Sequence, residues 1–343
     1  MSQIISKKII AWYQKHQREL PWRLYKSNSD RDYKVLLSEF MLQQTKVSTV
    51  IPYFNKFYKK FCSINALSKS RITSVLKLWE GLGYYRRARN LHQTAKIIVK
   101  KHGGKVPDSF SDLKDLPGIG DYTASAILSI AKDKSFIGVD GNVKRVISRV
   151  FALKQNKKLL FAIEKKLDFM KVKKNSSSLM QGIMEIGALL CQPASPNCMR
   201  CPIRKSCKSY KKNKFYLASK KKTNKKKYFY AFYSLKNQKI LFSHNKKFNF
   251  LKGLVNLPLV ESDNKNYKVI IKDNFRKEVA VSSFIPEVKY KMSNFSMYIK
   301  ILILKNVTLD KTGFFWIPYE DIKKFTVSIL TKKLLQAVNV NEK

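Results

Sequence analysis

The stretch LPGIGDYTASAI at residues 116–127 joins a glycine-containing turn to the start of a helix. Gly118 and Gly120 permit a tight turn that leaves backbone N–H groups exposed. The helix that follows points its positive end the same way, so a phosphate could bind there without any charged side chain. A lone G-x-G turn between helices is weak evidence, and it decides the fold only together with the motifs around it.

The segment VDGNVKRVISRV at residues 139–150 places Asp140 between an apolar run and a second predicted helix. The apolar residues of that helix repeat on one face: Val143, Val146, Ile147 and Val150. Aspartate is a good helix N-cap, worth about 1 kcal/mol. The position alone therefore favours a structural cap for Asp140.

Glu39 lies in KVLLSEFMLQQT at residues 34–45, with apolar neighbours on both sides. Such a carboxylate is either exposed on the far face of a helix or held in an apolar pocket. Desolvation in a pocket would raise its pKa and make it an acid able to donate a proton at neutral pH. The pattern leaves both interpretations open.

Four of the five cysteines fall in CQPASPNCMRCPIRKSC at residues 191–207, with the spacing C-x6-C-x2-C-x5-C. The four are Cys191, Cys198, Cys201 and Cys207. Four thiolates converging over so short a loop suit a metal centre. Structural zinc sites usually pair two short C-x2-4-C knuckles, and a [4Fe-4S] cluster also takes four cysteines. Spacing alone does not choose between the two.

Taken together, these motifs resemble the helix-hairpin-helix DNA glycosylases, and within them the MutY family of adenine DNA glycosylases. Four further matches support the resemblance: LPWR (20–23), MLQQT (41–45), WEGLGYYRRARNLH (79–92) and QGIMEIGALLC (181–191). The resemblance implies that the cysteine loop holds a structural [4Fe-4S] cluster. It is strong over about the first 205 residues and weak over the last 115.

The resemblance also implies a catalytic pair of carboxylates. Glu39 would protonate adenine at N7, and Asp140 would stabilise the oxocarbenium-like sugar or bond to it transiently before water attacks. Relatives that also cut the backbone carry a lysine nucleophile where this chain has Tyr122. The sequence therefore predicts a monofunctional enzyme that flips the base out, removes it and leaves an abasic site.

Further residues are expected to bind DNA. The family's wedge tyrosine corresponds to Tyr84, and the glutamine that fills space near the flipped base corresponds to Gln44. The residues that match the adenine pocket are Trp22, Arg23, Leu42 and Gln181. Phosphate contacts are expected at Gly118, Gly120 and Lys144, and Lys144 is also close enough to Asp140 to trap an abasic aldehyde occasionally. Arg86, Arg87 and Arg89 are either phosphate contacts or a solvated helix face, and of these Arg86 is counted among the DNA-binding residues.

The chain divides into three predicted parts. Residues 1–207 read as a mainly α domain that includes the cysteine loop. Residues 208–227 hold ten lysines and no acidic residue, which indicates a basic linker. Residues 228–343 carry short β-rich runs and predict a smaller α+β domain.

The family's C-terminal domain is similar to the Nudix fold and recognises 8-oxoguanine opposite the adenine. FLKGLVNLP at residues 250–258 resembles a degraded glycine-rich loop, and the sequence lacks the Nudix catalytic box, so we expect no hydrolysis of nucleotides there. The family's Phe-Ser-His signature aligns with MSNFS at residues 292–296, where only Ser293 is kept.

A formal charge of +46 favours a polyanionic partner, although the bias towards lysine contributes to it. We expect a cytoplasmic, nucleoid-associated monomer of bacterial type, without a membrane segment, that acts on duplex DNA with A:8-oxoguanine or A:G mispairs. One rival is a glycosylase and lyase similar to endonuclease III. Another is a non-catalytic DNA-binding protein whose cluster senses redox state.

Overall fold

The structure is a computed structural model of the chain. It describes residues 2–213, 215, 225–244, 248, 250–252, 254–263, 266–275, 279–292, 295–307 and 313–341. The chain forms two compact units, one of Met1–Ser70 with Asn90–Lys220 and the other of Arg71–Arg89 with Lys221–Lys343.

The part of the chain up to the basic segment is helical. Its α-helices are α1 Ser2–His16, α2 Asn28–Leu42, α3 Val47–Lys60, α4 Ile64–Ser68, α5 Ile72–Leu78, α6 Arg86–His102, α7 Phe110–Lys114, α8 Asp121–Ile130, α9 Gly141–Phe151, α10 Leu159–Asp168, α11 Ser176–Glu185 and α12 Lys208–Lys211. Helix α11 continues into a π-helical turn at Ile186–Leu190, and short 3₁₀ turns occur at Pro21–Arg23, Cys198–Arg200 and Arg204–Ser206. The predicted mainly α first domain is confirmed.

Helix α2 lies in the centre of the first unit. It begins where the Ser27 side chain accepts a hydrogen bond from the backbone N–H of Asp30. Every residue from Tyr33 to Met41 is buried, so this helix has no solvent-facing side along that length. A helix that is buried all round explains why KVLLSEFM lacks the clean alternation of an amphipathic surface helix.

The second unit is α+β, as predicted. Its strands are β1 Lys225–Tyr233, β2 Leu235–Lys236, β3 Lys239–His244, β4 Val255–Asn256, β5 Leu259–Glu261, β6 Ala280–Lys291, β7 Phe295–Lys305 and β8 Phe314–Pro318. One sheet has the order β5-β1-β7-β6, with β1 and β7 parallel; the other has the order β2-β3-β4, with β8 also on β3. The helices are α13 Tyr267–Asn274 and α14 Ile329–Asn341. Phe229, Met297 and Ile299 of the first sheet pack with Leu334 of α14 in the main core.

The second unit includes a segment that the sequence assigned to the first domain. Residues Arg71–Arg89 belong to it, and polar contacts join them to the end of the chain. The Lys77 ammonium donates to the carbonyl oxygens of Lys323 (2.8 Å) and Phe325 (2.9 Å). The Glu80 carboxylate pairs with Lys77 at 3.0 Å and with Lys332 at 2.5 Å. The division at 1–207, 208–227 and 228–343 stays a prediction.

Among the helices of the described residues, none combines the length and the hydropathy that crossing a bilayer requires.

Candidate active site

One cavity of about 590 Å³ in the first unit collects most of the residues singled out in the sequence. Those that line it are Trp22, Arg23, Glu39, Leu42, Gln44, Gly118, Gly120, Tyr122, Asp140 and Gln181. They come from segments as far apart in the sequence as Trp22 and Gln181, and the fold brings them to a common wall. The cavity is therefore the candidate active site.

Glu39 is the buried acid of this cavity. It lies near the end of α2 and is 5% exposed. Burial raises the pKa of Glu39 to about 7, and the charge of Asp140 acts in the same direction. A hydrogen bond with Tyr122 lowers this pKa, although less than burial raises it. The sequence left two interpretations of Glu39, an exposed helix face or an apolar pocket. The structure shows the pocket.

Tyr122 stands in the first turn of α8, where the chain leaves the glycine hairpin. Burial raises the pKa of its hydroxyl well above the ordinary value, and the charges of Glu39 and Asp140 add to the effect. The hydroxyl stays neutral and donates to Glu39, while the Met184 sulfur lies 3.9 Å from it. A neutral phenol can orient a carboxyl group but cannot form a Schiff base.

Asp140 has two roles in the geometry. Its Oδ1 accepts from the backbone N–H of Val143 at 2.7 Å, so it is the N-cap of α9. The same side chain lines the cavity, and its charge contributes to the raised pKa of Glu39. The structural interpretation and the functional one are therefore compatible.

A chain of hydrogen bonds leads from Asp140 to the cysteine loop. Asn142 Nδ2 donates to Asp140 Oδ2 at 3.0 Å, and Arg145 donates to Asn142 Oδ1 at 2.7 Å. Arg145 Nε also donates to the carbonyl oxygen of Cys191 at 2.7 Å, and a second guanidinium nitrogen donates to that of Gly187 at 2.8 Å. One arginine thus ties the start of α9 to the end of the π-helical turn.

A buried ion pair that the sequence analysis missed forms another part of the wall. Glu185, whose side chain is 1% exposed, pairs with Arg18 and with Arg23, each at 2.7 Å. Burial acts to raise the pKa of Glu185, but hydrogen bonds and charges from the two arginines outweigh it and hold this pKa below its usual value. Arg23 also donates to Gln181 Oε1 at 2.8 Å. The available signal was the i, i+4 spacing of Gln181 and Glu185, which puts both on one helix face.

The apolar part of the wall includes Trp22, which is 6% exposed. Its ring packs edge-on against Phe54 at 5.3 Å between centroids. Trp22 therefore belongs to the core and to the cavity at once.

The hairpin of residues 116–120 is fixed from two sides. Gly118 has φ +85°, and a Cβ there would lie 2.6 Å from Asn90 Nδ2 and 3.0 Å from Phe40, so only glycine fits. Thr94 Oγ1 donates to the Pro117 carbonyl at 3.0 Å. Gly120 is the N-cap of α8 in an extended conformation with open space around it, so a side chain would fit there sterically.

The four thiols of the loop line a second, largely apolar cavity. Arg149 lies beneath it, with one guanidinium nitrogen 3.4 Å from Cys191 Sγ and bonds of 2.7 Å to the carbonyls of Gln192 and Pro193. Arg149 Nε and Ser209 Oγ are buried and have no hydrogen-bond partner among the described residues. The orphaned Nε of Arg149, which lines the same cavity as the four thiols, fits a group that carries its own sulfur acceptors. No three His, Cys, Asp or Glu side chains in the described ranges are grouped closely enough to hold a single metal ion.

The remaining predicted residues lie outside the first cavity. Lys144 is exposed on α9. In the second unit, Arg86 is exposed and Tyr84 is 42% exposed. Ser293 lies outside the described residues. Arg87 is neither a solvated nor a phosphate-facing residue here, since it is 6% exposed and stacks over Trp79 and Tyr84.

The fold and the cavity define a DNA glycosylase of the helix-hairpin-helix class. The family model described as "HhH-GPD superfamily base excision DNA repair protein" matches residues 37–168. A structure of a thermostable thymine-DNA glycosylase matches with TM-score 0.54 and 26% identity over 62% of this chain and 97% of that one. A non-covalent endonuclease III–DNA complex matches in fold with TM-score 0.52 and 22% identity, over 62% of this chain and 98% of that one.

Curated relatives narrow the class further. The adenine DNA glycosylase of Buchnera aphidicola subsp. Baizongia pistaciae is 37% identical over 85% of this chain and 83% of its own length. That of subsp. Schizaphis graminum is 38% identical over 90% and 89%. The human adenine DNA glycosylase is 36% identical over 59% of this chain and 38% of its own length. The chain belongs to the adenine DNA glycosylase family.

Proposed function

We propose that the protein hydrolyses the N-glycosidic bond of adenine mispaired with 8-oxoguanine, and with G, in duplex DNA. The observation that carries this function is the pair of Glu39 and Asp140 in one cavity, where burial keeps a proton on Glu39 near neutral pH. Two carboxyl groups held in different protonation states are what glycosidic cleavage needs. The assignment of adenine as the excised base is supported by the relatives, which are adenine DNA glycosylases.

The chemistry follows from the positions of the two groups. The flipped adenine would enter the cavity beside Trp22 and Leu42, and Glu39 would donate its proton to N7 so that the base leaves neutral. Asp140 would stabilise the sugar cation or bond to it for a short time. The ionised Glu39 would then accept a proton from the attacking water, which restores the starting state.

Tyr122 supports a monofunctional outcome. Bifunctional glycosylases need an amine nucleophile near the sugar. In this cavity wall the corresponding residue is Tyr122, a neutral phenol that is hydrogen-bonded to Glu39. Lys144 is exposed and does not line the described cavity, which fits a phosphate contact better than an aldehyde trap. The product would be an abasic site in an unbroken strand.

The test is a single-turnover reaction with end-labelled duplexes carrying A:8-oxoguanine, A:G or A:T. We expect strand cleavage only after alkali treatment, with A:8-oxoguanine fastest and A:T inert. Cleavage without alkali would favour a lyase similar to endonuclease III. Binding without any product would favour the redox-sensing DNA-binding protein.

The cysteine loop is proposed to hold a [4Fe-4S] cluster through Cys191, Cys198, Cys201 and Cys207. When bound, such a cluster would supply four metal–thiolate bonds that order the loop. The four thiols around one cavity and the orphaned Nε of Arg149 on the same wall support this assignment. Iron and acid-labile sulfide assays with visible absorbance on anaerobically purified protein test it, and stoichiometric zinc would overturn it.

The cellular setting is also a proposal. A DNA substrate and the net charge of +46 support a monomer bound to the nucleoid within the cytoplasm. Light scattering of the purified chain tests the monomer, and imaging of a fluorescent fusion against a DNA stain tests the location.

Two residues outside the first cavity also have proposed contacts with the substrate. Ser293 would contact the 8-oxoguanine, and Tyr84 would enter the duplex.

A further inference from the structure

A row of tyrosines and lysines crosses one exposed end of the sheet β5-β1-β7-β6. Tyr228 of β1 lies opposite Tyr298 of β7, and Tyr298 lies opposite Lys289 of β6. Side chains of directly paired residues project from the same face of a sheet. The neighbouring row on that face contains Lys226, Ser296 and Lys291. We call these two rows, with Lys300, the lysine–tyrosine face.

This face is not part of a packed core. The alternate residues Phe229, Met297 and Ile299 point to the opposite side and are at most 2% exposed. At the far end of the same face, Leu302 and Leu304 pack with Ile270 and Ile271 of α13. At the near end Tyr228 is 46% exposed, and the side chain of Lys289 is 71% exposed. Helix α13 therefore covers only one end of the face.

The rings hold the ammonium groups in place. The centroids of Tyr228 and Tyr298 are 5.6 Å apart. Lys226 Nζ and Lys289 Nζ lie 5.7 and 5.6 Å from the Tyr298 centroid. Lys300 Nζ lies 4.4 Å from the centroid of Phe284, a ring that is 51% exposed. Cation–π contacts of this kind restrict a lysine without neutralising its charge.

The charge of the face is one-sided. Strands β1, β6 and β7 carry a single acidic residue, Glu287, whose carboxylate is 3.5 Å from Lys289 Nζ. Lys226, Lys291 and Lys300 have no acidic partner within ion-pair distance among the described residues. A row of restrained cations with tyrosine hydroxyl groups between them is complementary to a run of phosphates.

We propose that the lysine–tyrosine face is a second DNA-contacting surface, which binds the phosphodiester backbone of the duplex without reading its sequence. It lies on the second unit, and its outer row, with Lys291 and Ser296, reaches the segment 292–296 that is aligned with the 8-oxoguanine signature. Its role is to add affinity for undamaged duplex and so to keep the enzyme on DNA between lesions. This inference rests on the proposed function, because DNA is the expected partner only of a DNA glycosylase. The experiment below distinguishes a failure of the proposed function from a failure of the lysine–tyrosine face to bind DNA.

The experiment measures the affinity of the full-length protein for an undamaged fluorescent duplex as salt is varied. Lys226→Ala/Lys289→Ala removes two charges from the face. Lys236→Ala/Lys239→Ala is the matched control, because these two lysines are also exposed and paired across strands, on the other sheet of the same unit. Thermal unfolding of both variants verifies that they fold.

We expect the first variant to bind roughly tenfold more weakly at low salt and its salt slope to fall by about 0.9 for each lost phosphate contact, near two units in all. The control should match the wild type. Excision rates at saturating protein should be unchanged in both variants. Equal losses in the two double variants, or none in either, would overturn the proposal. A wild type that binds but excises nothing would overturn the proposed function and leave this comparison valid.

Discussion

Tyr122 and Glu39 line the same cavity, and hydrogen bonding of the Tyr122 hydroxyl to the Glu39 carboxyl group lowers the pKa of Glu39. This bond favours the ionised carboxylate, whereas burial and the charge of Asp140 favour the protonated form. The balance leaves the pKa of Glu39 at about 7, where the group can both give and take a proton.

Tyr122→Phe should therefore move the pH profile of excision. Loss of the hydroxyl removes the contact that lowers the pKa of Glu39, so this pKa rises and the alkaline limb of kcat/KM shifts to higher pH. The profile is measured on A:8-oxoguanine duplex from pH 5 to 9. Tyr25→Phe, at another tyrosine of the same cavity, is the control and should leave the limb in place. An unchanged limb in Tyr122→Phe would separate Glu39 from the observed titration.

Glu39→Gln should abolish excision, retain duplex binding and stabilise the fold at neutral pH. The pKa of Glu39 is about 7 in the folded state and near 4.5 in the unfolded chain, so the folded state binds more protons between these values. Stability is then lost as pH rises from about 4.5 to 7, by up to about 3 kcal/mol. Chemical unfolding of both proteins at pH 5 and pH 8 measures this. The variant's advantage should be small at pH 5 and larger at pH 8; the same gain at both would refute the buried acid.

Asp140 offers a way to separate capping from catalysis. Asparagine caps helices as well as aspartate does, so Asp140→Asn should keep the melting temperature while the excision rate falls by several orders of magnitude. Asp140→Ala should lose the rate and about 1 kcal/mol of stability. Rates come from single-turnover assays, melting temperatures from thermal unfolding and the free energy of unfolding from chemical unfolding. If Asp140→Asn excises normally, Asp140 is only a cap.

Glu185→Ala should destabilise the first unit strongly. It leaves Arg18 and Arg23 beside the cavity without their buried counter-charge, a loss that typically costs roughly 3 kcal/mol. Glu164→Ala removes a carboxylate from an exposed position on α10 and should change little. Urea unfolding compares the two variants. Similar stabilities would mean that water replaces Glu185 at no cost.

Much of the first unit could be predicted from the sequence, because its elements rest on local rules. The N-cap at Asp140 and the apolar face of α9 are examples. The fate of Glu39 could not be predicted, since it depends on what packs around α2 and not on α2 itself. The same holds for Glu185, whose arginine partners lie more than 160 residues away.

Arg87 illustrates the limit of periodicity. In WEGLGYYRRARNLH three arginines fall within four residues, and nothing local distinguishes the one that becomes buried. The turn before α6 determines which arginine is buried. It allows Arg87 to fold back onto Trp79 and to donate to the Gly83 carbonyl at 3.1 Å. The roles assigned to the cavity residues stay predictions that the variants above address.

Tyr84 stands at that turn with φ +49° and its ring against the Arg87 guanidinium, at 5.3 Å. A left-handed backbone and a stacked ring leave this exposed side chain little conformational freedom to lose. The wedge proposed at Tyr84 would therefore be stiff before it meets DNA. A flexible loop would lose conformational entropy on binding, and this loss would reduce the binding free energy. A stiff turn avoids that loss, so more of the binding free energy remains to separate two stacked bases.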